Sequence, residues 1–336
     1  MNFDSLYKTA QALLAPGKGI LAADESTGTA DKRFASVGVE QTEENRRQYR
    51  QLLLAAPGNE EFLGGVILYD ETIRQQDDSG VPFAKVLEEK GIVPGIKVDG
   101  GTIDFEGHPG EKVTQGLDGL ADRLKEYYAM GARFTKWRAV IAIGEGIPTQ
   151  DLIQKNAEIL AEYAKVAQAE GFVPIIEPEV LLDGDHTIER AEEVTTNTLK
   201  VVFAEIQKAG VDLKGLILKS SMVLSGKDCP VQAGASQVAE ATVRTFKSSV
   251  PEETAGIVFL SGGQSPEQAT KNLNEVTKLG SQPWPITFSF SRALQEPVLG
   301  LWRGDKAKVE PAQQAFLHRL KLNHVALEGT YTKDME

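Results

Sequence analysis

Cysteine is almost absent from this sequence. Its 336 residues include only Cys229, which excludes an intrachain disulfide and any cysteine-based metal cluster. Long apolar runs are missing too, since no stretch approaches the roughly 18 residues that a membrane helix needs. The opening segment, Phe3-Asp4-Ser5-Leu6-Tyr7-Lys8 and onward, lacks the basic region and apolar run of a signal peptide. Histidine is scarce, and His108, His186, His318 and His324 show no zinc-ligand spacing. Neither a GxxxxGK[ST] phosphate loop nor a dinucleotide fingerprint after a strand is present. Positive charge is in deficit: 48 acidic against 36 basic residues leave a net charge of −12. Such a surface disfavours general nucleic-acid binding. The expectation is a cytoplasmic enzyme, with no nucleic-acid or membrane partner and no metal. If its substrate is anionic, its cations must be gathered locally.

What the chain does have is a repeated pattern. Short apolar or β-branched runs recur, each followed by a polar break and a helical stretch. The runs are Gly19-Ile20-Leu21-Ala22, Gly65-Val66-Ile67-Leu68-Tyr69, Gly95-Ile96-Lys97-Val98 and Phe134-Thr135-Lys136-Trp137-Arg138. They continue with Val173-Pro174-Ile175-Ile176, Gly215-Leu216-Ile217-Leu218, Gly256-Ile257-Val258-Phe259-Leu260 and Pro285-Ile286-Thr287-Phe288-Ser289. Between them, Ile153, Ala157, Leu160, Ala164 and Ala167 form one apolar helix face, with Asp151 as the cap and Gly171 as the stop. Thr42-Glu43-Glu44 opens a second helix, its carboxylates set favourably against the helix dipole, and a third spans about residues 185–210. Near-continuous apolar strands alternating with helices imply a parallel sheet covered by helices. A chain of this length could hold two modest domains. Eight units instead predict a closed (β/α)8 TIM barrel in the α/β class. It is one domain over residues 1–336, with an N-terminal helix and a short C-terminal tail. Residues 99–116 read as a loop insertion.

Polar residues cluster where such a barrel places its chemistry, at the carboxyl ends of the strands. The first run ends Ala23-Asp24-Glu25-Ser26 and the second Tyr69-Asp70-Glu71. The third carries Lys97, and the fourth carries Lys136 and Arg138. The fifth ends Glu177-Pro178-Glu179, the sixth Lys219-Ser220-Ser221, the seventh Ser261-Gly262-Gly263, and the eighth leads to Ser291-Arg292. Residues two apart on a strand share a face, so Lys136 pairs with Arg138 and Glu177 with Glu179. Any one of these could be a solvated strand end. Together at one mouth they would be a costly accident, because charges are rarely buried without partners. Three lysines near one another favour the neutral amine of at least one. Lys219, after four apolar or glycine positions, is the best nucleophile: an amine attacks a ketone to give an electron-withdrawing iminium. Glu177 is placed to move the protons. Ser261, Gly262 and Gly263 offer a hydroxyl and unobstructed N–H groups for a phosphate, reinforced by Arg292. Ser26-Thr27-Gly28-Thr29 with Arg33 is a second phosphate cue.

At this point the residues resemble the class I fructose-bisphosphate aldolases. The motifs are Gly17–Gly28, Thr42-Glu43-Glu44-Asn45-Arg46-Arg47, Gly95-Ile96-Lys97-Val98-Asp99, Lys136-Trp137-Arg138 and Glu177-Pro178-Glu179. Asp183-Gly184-Asp185-His186, Phe259–Ser265 and Arg292-Ala293-Leu294-Gln295 extend the match to about residues 5–332. The resemblance implies reversible cleavage of fructose 1,6-bisphosphate in glycolysis, gluconeogenesis or the Calvin cycle, without a metal cofactor. It implies that Lys219 forms a Schiff base and that Glu177, supported by Glu179 and Lys136, moves protons during its formation. Asp24 would deprotonate the C4 hydroxyl. Ser261, Gly262, Gly263 and Arg292 would hold the C1 phosphate. Ser26, Thr29 and Lys97 would receive the C6 phosphate, with Arg33 and Arg138 completing a basic mouth. The partners are small sugar phosphates and further copies of the chain, the family being typically homotetrameric.

The chain departs from the family pattern in three places. Ser291 stands where glycine usually precedes the arginine, and Asp99-Gly100-Gly101 lacks the usual lysine. The sequence stops at Tyr331-Thr332-Lys333-Asp334-Met335-Glu336, without the tail tyrosine that assists enamine protonation in eukaryotic members. The rivals are the same chemistry on fructose 1-phosphate or sedoheptulose 1,7-bisphosphate, and an inert sugar-phosphate-binding barrel. The two phosphate cues favour a bisphosphate, and Lys219, Glu177, Asp24 and Lys136 together oppose inertness.

Overall fold

The computed structural model describes residues 3–336. Eight parallel strands close a barrel: β1 (Gly19–Ala22), β2 (Leu63–Leu68), β3 (Val93–Lys97), β4 (Phe134–Ile141), β5 (Val173–Val180), β6 (Ile217–Ser220), β7 (Gly256–Phe259) and β8 (Ile286–Phe290). Each strand pairs with its neighbours in the chain, and β8 closes on β1. The predicted (β/α)8 barrel is therefore the observed fold.

Two apolar layers build it. Strand residues of alternate parity turn outward, so Leu21, Leu68, Ile96, Trp137 and Leu218 pack with the surrounding helices. Ile20, Ile67, Phe134, Ile175, Ile217 and Val258 fill the interior, and Leu6, Ala10 and Leu13 of the helix Phe3–Leu13 close the floor beneath them. Glycine at two inward positions makes room for the largest of these side chains. A Cβ on Gly95 would lie 2.3 Å from the Phe134 ring, and one on Gly65 would lie 2.4 Å from Leu13 and 3.1 Å from Phe134. These side chains pack the floor with apolar groups.

Several boundaries differ from those the sequence predicts, each for a physical reason. Strands β4 and β5 stay paired as far as Ile141 and Val180, so Arg138, Glu177 and Glu179 lie within strands rather than at their ends. Gly215 belongs to a short 3₁₀ turn, Leu213–Gly215, and β6 begins at Ile217. The helix expected to be capped by Asp151 is Gln150–Ala169, capped by Thr149, whose hydroxyl accepts from Leu152 N–H at 3.2 Å. Thr149 is fixed there by the buried Glu111, which accepts from its N–H at 2.7 Å and its hydroxyl at 2.6 Å. The helix expected over 185–210 is Ile188–Lys208, starting after the Thr187 cap. The predicted loop of residues 99–116 contains an antiparallel hairpin, Thr102–Asp104 with Lys112–Thr114. Among the described residues, no helix is long and apolar enough to cross a membrane.

Candidate active site

A cavity of about 770 Å³ opens at the carboxyl ends of the strands. Its wall includes Asp24, Ser26, Thr29, Arg33, Lys97, Lys136, Arg138, Glu177, Glu179, Lys219, Ser261, Gly262 and Arg292. Strand parity brings them there: on β4, Lys136 and Arg138 share the inward face with Phe134, while Trp137 turns to the outer layer. Of the predicted site residues, only Gly263 is outside the lining set, one step behind Gly262.

The centre is a chain of buried charges. Lys136 Nζ lies 2.6 Å from Asp24 Oδ2 and 3.0 Å from Glu177 Oε2. Lys219 Nζ lies 3.1 Å from the other Glu177 oxygen. Glu177 therefore bridges both amines. Burial opposes ionisation of each group, as it must in a poorly solvated site. For Asp24, the charges of Lys136, Lys219 and Lys97 outweigh burial and hold its pKa well below the usual carboxylate range. Burial is likewise outweighed at Glu177, where Lys136, Lys219 and Arg138 keep the pKa low. At Lys136, Asp24, Glu177 and Asp99 overcome burial and push the pKa up. Glu177 stands between the Lys136 and Lys219 amines, so at Lys136 attraction outweighs like-charge repulsion.

Such an arrangement has definite chemical capacity. A carboxylate 3.1 Å from an amine can take a proton from it and return one to an oxygen formed on the same carbon. Asp24, ionised and with 11% of its side chain exposed, can accept a proton from a hydroxyl group.

Three of the cations on the rim, Lys97, Arg138 and Arg33, are already paired with carboxylates. Lys97 Nζ is 2.6 Å from Asp99 Oδ1, and Asp99 Oδ2 also accepts from the Arg138 N–H at 3.2 Å. Arg138 forms an ion pair with Glu179, so Glu179 holds Arg138 and makes no direct contact with Glu177. Arg33 is paired with Glu25 and donates to Ser291 Oγ at 3.3 Å. Ser291 Oγ donates to Glu25 at 2.6 Å, and Gln295 donates to the same carboxylate oxygen at 2.9 Å. The other Glu25 oxygen lies 2.7 Å from Arg50. Ser291 thus links the turn before Arg292 to the end of β1.

Two cradles suit anions. Ser26 and Thr29, their hydroxyls 3.1 Å apart, stand at the N-terminus of the helix Thr27–Ser36, where the helix dipole favours negative charge. Across the mouth, Gly262 and Gly263 have φ of +51° and +93°, the left-handed region that favours glycine. A Cβ on Gly262 would also lie 2.7 Å from Leu260, and one on Gly263 would lie 3.8 Å from Arg292 Nη2.

Sequence reasoning gave no role to four residues at this mouth. Ser289 is fully buried, lines the cavity, and its hydroxyl has no partner; its signal was inward parity two residues before Ser291. Asp99 and Tyr69 also line the wall, and Glu25 organises Arg33, Arg50 and Ser291. Among the described residues, no three His, Cys, Asp or Glu side chains converge to hold a metal ion.

A family model described as fructose-bisphosphate aldolase class-I matches residues 5–336. A probable fructose-bisphosphate aldolase class 1 from Xanthomonas campestris pv. campestris is 54% identical, covering 98% of this chain and 99% of its own. Fructose-bisphosphate aldolase 5, cytosolic, from Arabidopsis thaliana is 50% identical, covering 98% and 92%. Among solved structures, fructose-bisphosphate aldolase from Plasmodium falciparum, in complex with TRAP and a small-molecule inhibitor, is similar with a TM-score of 0.97. It is 47% identical over 98% of this chain and 95% of that one.

Proposed function

The chain belongs to the class I fructose-bisphosphate aldolase family, and from that premise we propose how its residues cleave fructose 1,6-bisphosphate. Two protons pass in turn from the Lys219 nitrogen through Glu177 to the C2 oxygen: the first frees the amine to attack the C2 ketone and gives the carbinolamine, and the second turns its hydroxyl into departing water and generates the iminium. Asp24 takes the C4 hydroxyl proton; the C3–C4 bond breaks and its electron pair flows into the iminium, giving an enamine. Glyceraldehyde 3-phosphate departs. Protonation at C3 and addition of water then release dihydroxyacetone phosphate and restore the Lys219 amine. The observation that carries this reading is Glu177 bridging Lys219 and Lys136, with Asp24 on the far side of Lys136.

The remaining residues bind and position. Ser261, Gly262, Gly263 and Arg292 receive the C1 phosphate, and Ser26, Thr29 and Lys97 the C6 phosphate. Arg33 and Arg138 complete the basic mouth, with Glu179 orienting Arg138. The iminium is itself the electron sink, so the mechanism calls on no metal or other cofactor. Residues 1–336 act as one barrel domain, assembled as a cytoplasmic homotetramer and serving glycolysis, gluconeogenesis or the Calvin cycle. The cytosolic name of the Arabidopsis relative supports the location.

Purified protein in excess EDTA should cleave fructose 1,6-bisphosphate at an undiminished rate, releasing the two triose phosphates in equal amounts. Activity abolished by the chelator and restored by a divalent metal would overturn the mechanism.

A further inference from the structure

Tyr69 follows β2 but keeps extended backbone angles, φ −101° and ψ 159°. Strand alternation therefore continues through it. Ile67 faces the barrel interior and Leu68 the outer helices, so Tyr69 turns inward, and it does line the cavity. Register fixes its level. Leu68 is aligned with Ile96, which sets Tyr69 beside Lys97 on β3. Ala22 is aligned with Ile67, which sets Tyr69 beside Asp24 beyond β1. The side chain thus stands between the group assigned to the C4 hydroxyl and the cation assigned to the C6 phosphate.

Among the described residues, the Tyr69 hydroxyl has no hydrogen-bond partner. Every cation around it is already matched, Lys97 by Asp99 and Lys136 by Asp24 and Glu177. A phenol facing an anion site and bonded to nothing is a donor in reserve. It stays protonated through neutral pH, since burial and the carboxylates of Asp70, Glu71 and Asp99 push its pKa up. A ring that served only as wall would need no hydroxyl.

We propose that Tyr69 is a specificity-determining residue for the aldehyde half of the substrate, its hydroxyl donating to the C6 phosphate beside Lys97, Ser26 and Thr29. This deepens the reading of the site as a bisphosphate aldolase and rests on it. Hydrogen bonds to charged groups are stronger than neutral ones, so their loss is measurable in the half-substrate that makes them.

The test is Tyr69→Phe, which removes one oxygen and keeps the ring, assayed in the condensation direction. The KM for glyceraldehyde 3-phosphate should rise roughly tenfold, while that for dihydroxyacetone phosphate stays within about twofold. Unphosphorylated glyceraldehyde should condense equally well with both proteins. In cleavage, kcat/KM should fall for fructose 1,6-bisphosphate and hold for fructose 1-phosphate. An equal fall for both sugars would place the hydroxyl on a part of the substrate that they share, and no change would make Tyr69 a wall residue; either result overturns the proposal. A wild-type protein that does not condense triose phosphates would instead overturn the reading beneath it. Should the phenylalanine variant fail to fold, Tyr69→His, which retains a ring and a donor, must keep the preference for phosphorylated aldehyde.

Discussion

The centre and the rim of the mouth use the same charged side chains in opposite ways. Lys136 retains 4% of its side-chain exposure and faces two carboxylates that are nearly as enclosed. Arg138, two residues along the same face of β4, is 40% exposed and faces one. Burial makes each central charge depend on its neighbours, because an unpaired ion is costly in a poorly solvated site. On the rim, Arg138 and Arg33 are 40% and 27% exposed, so solvent weakens these pairs from the cation's side although Glu179 and Glu25 are enclosed. On the proposed function, chemistry belongs to the centre and recognition to the rim.

The sharpest way to break this contrast is Lys136→Met, which keeps the volume and removes the cation. Asp24 and Glu177 would then be left without it, and the variant should lose about 3 kcal/mol of stability in denaturant unfolding. Activity should fall by roughly a hundredfold or more. The pH dependence has a definite sign. Asp24 and Glu177 have lowered pKa values, so the stability they contribute is present above the ordinary carboxylate range and is lost as pH falls through their folded values. Lys136 has a raised pKa, so its contribution is present below the ordinary lysine range and is lost as pH rises through its folded value. Removing Lys136 lets both carboxylate pKa values rise, and the acid limb of the pH–rate profile should move up. An unmoved acid limb would show that Lys136 does not control these groups.

Ser291→Gly probes the rim and should do far less. Ser291 donates one hydrogen bond to Glu25, a carboxylate that Arg33, Arg50 and Gln295 also hold. Its removal should cost about 1 kcal/mol in unfolding and change kcat by less than about twofold. A loss of kcat comparable with that of Lys136→Met would erase the distinction between centre and rim.

The sequence made the same distinction readable in part. The apolar runs marked all eight barrel strands, and period-two parity put Lys136 with Arg138 and Glu177 with Glu179. Parity says which face a side chain takes; it does not say which strand residue stands opposite. That depends on register between strands distant in sequence, so the Glu177 bridge and the Glu179–Arg138 pair became visible only in the structure. Thr149 and Asp151 are both competent caps, and the buried Glu111 made the choice. Tyr69 and Ser289 were given no role because a tyrosine or serine at the end of an apolar run reads equally well as an ordinary strand terminus.

On the proposed mechanism, Lys219 is the amine that becomes covalently bound. This is tested most directly by borohydride reduction in the presence of fructose 1,6-bisphosphate and EDTA, followed by peptide mass mapping. A triose-phosphate adduct is expected on the peptide carrying Lys219 and none on that carrying Lys136, whose charge Asp24 and Glu177 sustain. An adduct on Lys136, or none at all from an enzyme that EDTA silences, would contradict it.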